Sequence, residues 1–166
     1  NCVKSGVKKF VFASTGGAIY REQDYFPADE EHPVRPISPY GVAKLSVEKY
    51  LFYYAGVHGL QYVALRYGNV YGPRQNPHGE AGVVAIFAER MLAGGQPVIN
   101  GEGLQTRDYV YVGDVVRANM FALGHDRPGI FNVGTGVETD VNMLFRTIRG
   151  LTGSACKEEH GPAKKG

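Results

Sequence analysis

Tryptophan is absent from the 166 residues, cysteine occurs twice and methionine three times. Cys2 and Cys156 stand near opposite ends with no ligand-type residue at metal spacing beside either, which excludes a cysteine-held metal and a dense disulfide framework. They read as free thiols of a reducing, cytoplasmic setting. An excess of one charge is lacking too. Eighteen Lys and Arg against 16 Asp and Glu leave +2, and no clustered basic face appears, so nucleic acid is not expected as a partner. Every apolar run is too short to cross a bilayer, and the first residues lack the charged-then-apolar pattern of a secretory leader; no membrane partner is expected. Internal repeats are missing, and the one biased stretch is the polar end from Lys157 to Gly166, so 152–166 reads as a flexible tail. With 43% apolar and 20% charged residues, the chain can bury one core of ordinary globular character.

The stretch with the most chemistry is Ser38-Pro39-Tyr40-Gly41-Val42-Ala43-Lys44. Ser38 suits a helix N-cap, Pro39 the first helical position, and good helix formers continue to about Gly56. Tyr40 and Lys44 are then four residues apart, one turn along the same face. A free tyrosine is ionised only about once in a thousand at pH 7, too seldom to act as a base. An ammonium roughly 6 Å from a phenol, at an effective dielectric of about 20, favours the phenolate by about 2.8 kcal/mol. The pair is therefore a candidate acid/base couple; the same spacing also fits a surface pair in which a lysine stem lies over a tyrosine ring.

The rest of the chain reads as alternating strands and helices. Phe10-Val11-Phe12-Ala13 is continuously apolar, as in a strand covered on both faces of a parallel sheet. Ser14-Thr15-Gly16-Gly17-Ala18-Ile19-Tyr20 follows its carboxyl end, where open α/β sheets hold ligands. Residues 21–37 are acidic, proline-rich and aperiodic, a surface loop leading to Ser38. Leu60 to Tyr67 is a second strand, followed by the polar and aromatic turn Gly68-Asn69-Val70-Tyr71-Gly72-Pro73-Arg74. Gly79 to Gly82 opens an amphipathic helix to about Leu92; Pro97-Val98-Ile99 is a short strand, and Thr106 to Val112 alternates as another. Asp114 is placed to cap a helix from Val115 to Leu123, Gly129 to Gly134 is a third buried strand, and Asp140 to Leu151 a final helix. Arg107 is the one cation of its strand; its planar fork suits a phosphate, and equally a salt-bridge partner.

Five segments in this order resemble the extended short-chain dehydrogenase/reductase family of nucleotide-sugar enzymes, the NAD-dependent epimerases and dehydratases. They are Ser14–Tyr20, Tyr40 with Lys44, Leu65–Pro73, Arg107–Val110 and Asn132–Gly136, and the resemblance runs from Asn1 to about Leu151. It implies a partial Rossmann-like, doubly wound parallel α/β sheet of three strands with part of a small substrate-binding lobe. Residues 1–78 and 113–151 would form the sheet half, and 79–112 the lobe. It also implies a nucleotide-sugar 4-epimerase. Tyr40 would take the proton of a sugar 4-hydroxyl while hydride passes to NAD, and would return it after the 4-keto sugar has turned over. Lys44 would support Tyr40 and hold the nicotinamide ribose, Thr15 would hydrogen-bond the 4-oxygen with Ser14 as the alternative and a cofactor contact, and Tyr67 would pack by the nicotinamide. Asn69 would lie near the diphosphate of a UDP-sugar, Arg107 on a phosphate, and Gly82 and Val83 along the uracil pocket. Family dimers pair through the tyrosine helix, which implies a homodimer here.

Departures narrow the reading. Dehydratases of the family place Asp and Glu directly after the threonine, where this chain has Gly16 and Gly17. Epimerases, uronate decarboxylases and reductases remain, beside a non-catalytic, dimeric binding or structural module. Arg21 stands where glycine usually follows the tyrosine of that loop. The family's opening strand and glycine-rich pyrophosphate turn do not occur, so the chain reads as a central fragment expected to be inactive alone.

Overall fold

The computed structural model describes residues 1–78 and 82–163. The expected helix opening at Gly79 and the last three residues of the expected tail lie outside them. Gly6, at φ +68°, closes a hydrogen-bonded turn of the first residues, and strand β1 (Lys9–Thr15) follows. The order continues α1 (Gly17–Tyr20), α2 (Pro39–His58), β2 (Gln61–Tyr67), β3 (Asn69–Tyr71), α3 (Val83–Leu92), β4 (Ile99–Asn100), β5 (Thr106–Arg107) and β6 (Tyr109–Tyr111). It ends with α4 (Val112–Gly124), β7 (Gly129–Val133), β8 (Thr139–Asp140), α5 (Val141–Thr152) and β9 (His160–Gly161).

The three expected strands form one parallel sheet in the order β1-β2-β7, with Ala13 opposite Leu65 and Leu65 opposite Phe131. Successive strand side chains point to opposite faces. Tyr62 and Ala64 of β2 therefore pack with Leu51 of α2 and Phe10 and Phe12 of β1 on one face, while Val63 and Leu65 pack with Ala118 and Ala122 of α4 on the other. Two-sided cover is why β2 is continuously apolar from Tyr62 to Leu65. Helix α2 starts as its sequence dictates: Gly41 N donates to Ser38 Oγ at 3.1 Å, Pro39 is the first residue, and Gly59 ends it at φ +67°.

A second core belongs to the lobe. Phe87 and Met91 of α3 pack on Ile99 and on Val141, Leu144, Phe145 and Ile148 of α5. The assignment of 141–151 to the sheet half is thereby corrected: α5 lies against α3, because its apolar stripe finds Phe87 and Met91 rather than the sheet. The expectation of a flexible tail is corrected for its described part. His160 and Gly161 pair in parallel with Ile99 and Asn100, and His160 Nδ1 lies 2.8 Å from Gly101 O. Backbone pairing does not require apolar side chains, so the polar composition of this stretch gave no warning of it. Asp114 does not cap α4 either; the helix starts at Val112 behind Tyr111, and Asp114 sits in its first turn, paired with Arg117. Asp140 does cap α5, accepting from Met143 N at 2.6 Å.

Candidate active site

The carboxyl ends of the three strands open on one cleft of about 1020 Å³. Thr15 follows from β1, Arg66 and Tyr67 from β2, and Asn132 to Gly134 from β7; Leu104 to Asp108 of the lobe form the facing wall. Loop 21–37 closes a further side through Tyr25 and Phe26, and ends at Ile37 and Ser38, so α2 begins at the rim. Tyr40 is two residues into that helix, about half exposed, and its hydroxyl makes no hydrogen bond among the described residues. Lys44 lies as its spacing requires. Its Nζ is 5.6 Å from the Tyr40 ring centre and 4.9 Å from that of Phe12, and donates to Ala13 O at 2.7 Å. An ammonium has three donors, so two remain for a ligand.

Thr15, Tyr67, Asn69 and Arg107 are all brought to the cleft. Gly16 N donates to Tyr67 O at 2.9 Å, which ties the turn after Thr15 to the end of β2. The Tyr67 hydroxyl is held from α4, Asn119 Nδ2 donating to it at 2.8 Å. Asn69 N donates to Asp108 O at 2.7 Å. Arg107 is exposed and turns Nη1 to its own neighbour's carbonyl, Thr106 O, at 2.7 Å. Gly82 and Val83 are not among the wall residues: Gly82 lies near Gln75 and Asn76, and Val83 packs against the lobe core. Ser14 is corrected as a cofactor contact and as the alternative to Thr15. Strand alternation turns its side chain away from the cleft into the α2 face, where it is 3% exposed and donates to Glu48 Oε1 at 2.5 Å.

That hydroxyl belongs to a buried network which sequence reading missed. Glu48 is 1% exposed and Arg66 4%. Arg66 Nε donates to Glu48 Oε1 at 3.0 Å and Nη2 to Oε2 at 2.6 Å, a two-pronged pair. Burial alone would lower the Arg66 pKa, but the Glu48 carboxylate and the Tyr20 hydroxyl hold it above its ordinary value. Arg66 Nη1 donates to Tyr20 Oη at 2.8 Å, Tyr20 Oη donates to Asn132 Oδ1 at 2.8 Å, and Asn132 N donates to Glu30 Oε1 at 2.6 Å. All three strands, α1, α2 and loop 21–37 are thus linked behind the cleft. The signals were present: a charged residue closing the apolar run of β2, and a carboxylate four residues beyond Lys44 on the sheet-facing side of α2.

The hydroxyls on the wall divide by environment. Tyr25 donates to Asp29 Oδ1 at 2.6 Å, and that hydrogen bond pushes its pKa up to about 12, out of range for a base near neutrality. Tyr20 is committed to Arg66 and Asn132. Asp108 accepts from Thr135 N, Thr135 Oγ1 and Gly136 N at 2.7–2.9 Å, joining the lobe to the turn after β7. A Cβ on Gly134 would stand 2.5 Å from Asp108 Oδ2, so a side chain there would displace the carboxylate that joins these two elements.

A ligand cleft at the carboxyl ends of parallel strands, with helices on both sheet faces and a Tyr/Lys pair on the helix at its rim, defines the dehydrogenase/reductase class of α/β fold. Residues 1–134 match the NAD dependent epimerase/dehydratase family, and the chain belongs to it. It is 47% identical over 163 residues to the UDP-glucose 4-epimerase of Mycolicibacterium smegmatis, covering 98% of this chain and 52% of that protein. Its fold superposes on the UDP-glucose 4-epimerase of Thermotoga maritima, solved with UDP-glucose, at a TM-score of 0.96 and 54% identity, over 99% of this chain and 54% of that one. The Thermus thermophilus UDP-glucose 4-epimerase, solved with NAD, gives 0.88 and 49%, over 98% and 53%. The chain spans about half the length of the curated relatives it matches. No helix among the described residues is long and apolar enough to cross a membrane.

Proposed function

We propose that this chain is the catalytic and sugar-binding part of an NAD-dependent nucleotide-sugar 4-epimerase that interconverts UDP-glucose and UDP-galactose. The observation that carries the reading is the Tyr40–Lys44 pair on the helix that begins at the rim with Ser38, outside the wall residues themselves, with the lysine donating to Ala13 O two residues before Thr15. Its relatives of known structure, solved with UDP-glucose and with NAD, supply the ligand class. Tyr40 removes the proton of the sugar 4-hydroxyl and later returns it to the same oxygen; Lys44 sets its ammonium beside the Tyr40 ring; Thr15 orients the 4-oxygen. Asn69 and Arg107 stand on the lobe side for the diphosphate. The residues present fit the nicotinamide end of the cofactor, since Lys44 keeps two free donors for a ribose and Tyr67 lines the cleft. Bound there, NAD would supply the hydride acceptor and donor for sugar C4. Gly82 and Val83 stand at α3's start in the lobe and remain the proposal for the uracil end.

The free thiols Cys2 and Cys156 suit a cytoplasmic protein. We also assign homodimerisation to the outer side of α2, where Tyr50, Phe52, Tyr53 and Val57 are each more than half exposed. Sedimentation at micromolar concentration is expected to give the mass of two chains; a single-chain mass overturns that assignment. For the reaction, the test joins this chain to a glycine-rich NAD-binding half. Tyr40→Phe is then expected to abolish epimerisation with folding near neutral, and a rate above about a tenth of the parent's overturns Tyr40 as the base.

A further inference from the structure

Asp108, between β5 and β6, joins the lobe to the ends of two strands of the sheet. Its carboxylate reaches the turn after β7: Thr135 N lies 2.9 Å from both oxygens, Thr135 Oγ1 donates to Oδ1 at 2.7 Å, and Gly136 N donates to Oδ2 at 2.8 Å. Its carbonyl oxygen faces the turn after β2, accepting from Asn69 N at 2.7 Å. Both turns are cut back to receive it. A Cβ on Gly68 would stand 2.8 Å from Asp108 O, as one on Gly134 would crowd Oδ2. Two consecutive backbone N–H groups aimed at one carboxylate form an anion-holding concavity, filled here by the chain's own side chain. The residue held in this way is bonded covalently to Arg107 and through its carbonyl to Asn69, the two groups placed at the diphosphate. Arg107 has little else to fix it. β5 is two residues long, and the exposed side chain turns Nη1 to Thr106 O.

We infer that Asp108 is a positioning residue for nucleotide binding, which sets the Arg107 guanidinium against the diphosphate by clasping the lobe wall to the turn after β7. The inference rests on the nucleotide-sugar reading of the cleft. Charge makes the role separable from a direct one. Asp108 borders the cleft, so its carboxylate repels a diphosphate, and removing that charge alone would tighten binding. Loss of the clasp acts in the opposite direction, because Arg107 is then no longer held ready for the phosphates. Thr135 does not line the cleft, so a change in its hydroxyl reaches a ligand through the turn and Asp108.

The test is calorimetric titration of this chain with UDP, since every group assigned to the nucleotide lies within it. Asp108→Asn keeps the shape and the carbonyl that holds Asn69, but leaves one acceptor oxygen where there were two. It is expected to weaken UDP binding at least about fivefold. Thr135→Val removes one donor of the clasp, keeps both backbone N–H groups, and is expected to weaken binding about twofold or more. In an Arg107→Ala background, Asp108→Asn is expected to cost less than about a further twofold. Unchanged or tighter binding in either variant overturns the role of Asp108, and so does a loss of about fivefold that persists without Arg107; both leave the nucleotide-sugar reading intact. If Asp108→Asn melts below the titration temperature, Thr135→Val with and without Arg107 decides alone. A parent that binds no UDP overturns the nucleotide-sugar reading and this inference with it.

Discussion

Replacing Glu48 by alanine is expected to destabilise the chain by about 3–5 kcal/mol, a large part of the stability of a domain this size. The reason is what the substitution leaves behind. Arg66 is 4% exposed, and two of its three nitrogens are satisfied by Glu48 at 3.0 and 2.6 Å, so its guanidinium would remain buried with only the Tyr20 hydroxyl as partner. The Ser14 hydroxyl would lose its acceptor as well. Removing both charges is a different matter. In Glu48→Met combined with Arg66→Leu no charge stays buried unpaired, and the double variant is expected to be more stable than either single one. Urea unfolding of the three variants checks this. A cost below about 1 kcal/mol for Glu48→Ala would mean that water reaches Arg66, contrary to its burial.

The same network marks where the sequence was readable and where it was not. β1, β2 and β7 were legible because strands covered on both faces are continuously apolar, and that pattern depends on the strand's own residues alone. Tyr40 with Lys44 was legible because helical spacing fixes the pair locally. Pairings across the fold leave weaker traces. Arg66 shows that a partner is needed, but its partner is 18 positions away on a different element. Ser14 and Thr15 look equivalent as neighbouring hydroxyls, and only the direction of strand alternation decides that Thr15 meets the cleft and Ser14 meets Glu48. Val141, Leu144, Phe145 and Ile148 announce an amphipathic helix without saying what it covers, which is why α5 was expected on the sheet and is found on α3. The His160–Gly161 strand is held by backbone groups, to which composition is blind.

Gly41→Ala is expected to lower stability although alanine is the better helix former. Gly41 follows Tyr40 directly, in the first turn of α2 where that helix crosses α1. A Cβ there would run into the carbonyl oxygen of Ala18 and would stand 3.0 Å from Pro36 Cβ and 3.1 Å from the Ala18 carbonyl carbon. These are backbone and ring atoms that cannot rotate aside, so α2 must move away from α1. Overpacking of this kind costs about 1–3 kcal/mol, and the gain in helix propensity returns about 1 at most. Gly56, in the same helix, is the control: nothing lies within 4 Å of its added Cβ, and Gly56→Ala is expected to stabilise by up to about 1 kcal/mol. Opposite signs for one substitution in one helix separate contact from propensity, and a stabilised Gly41→Ala would show that α1 and α2 are not held as close as the 3.1 Å to the Ala18 carbonyl carbon implies. The chemical consequence is larger than the loss of stability. Moving the start of α2 by 1 Å shifts Tyr40 relative to Thr15, and a misplacement of that size costs about a hundredfold in rate. In a chain completed with its NAD-binding half, Gly41→Ala is therefore expected to lose activity while still folded, with Gly56→Ala unaffected.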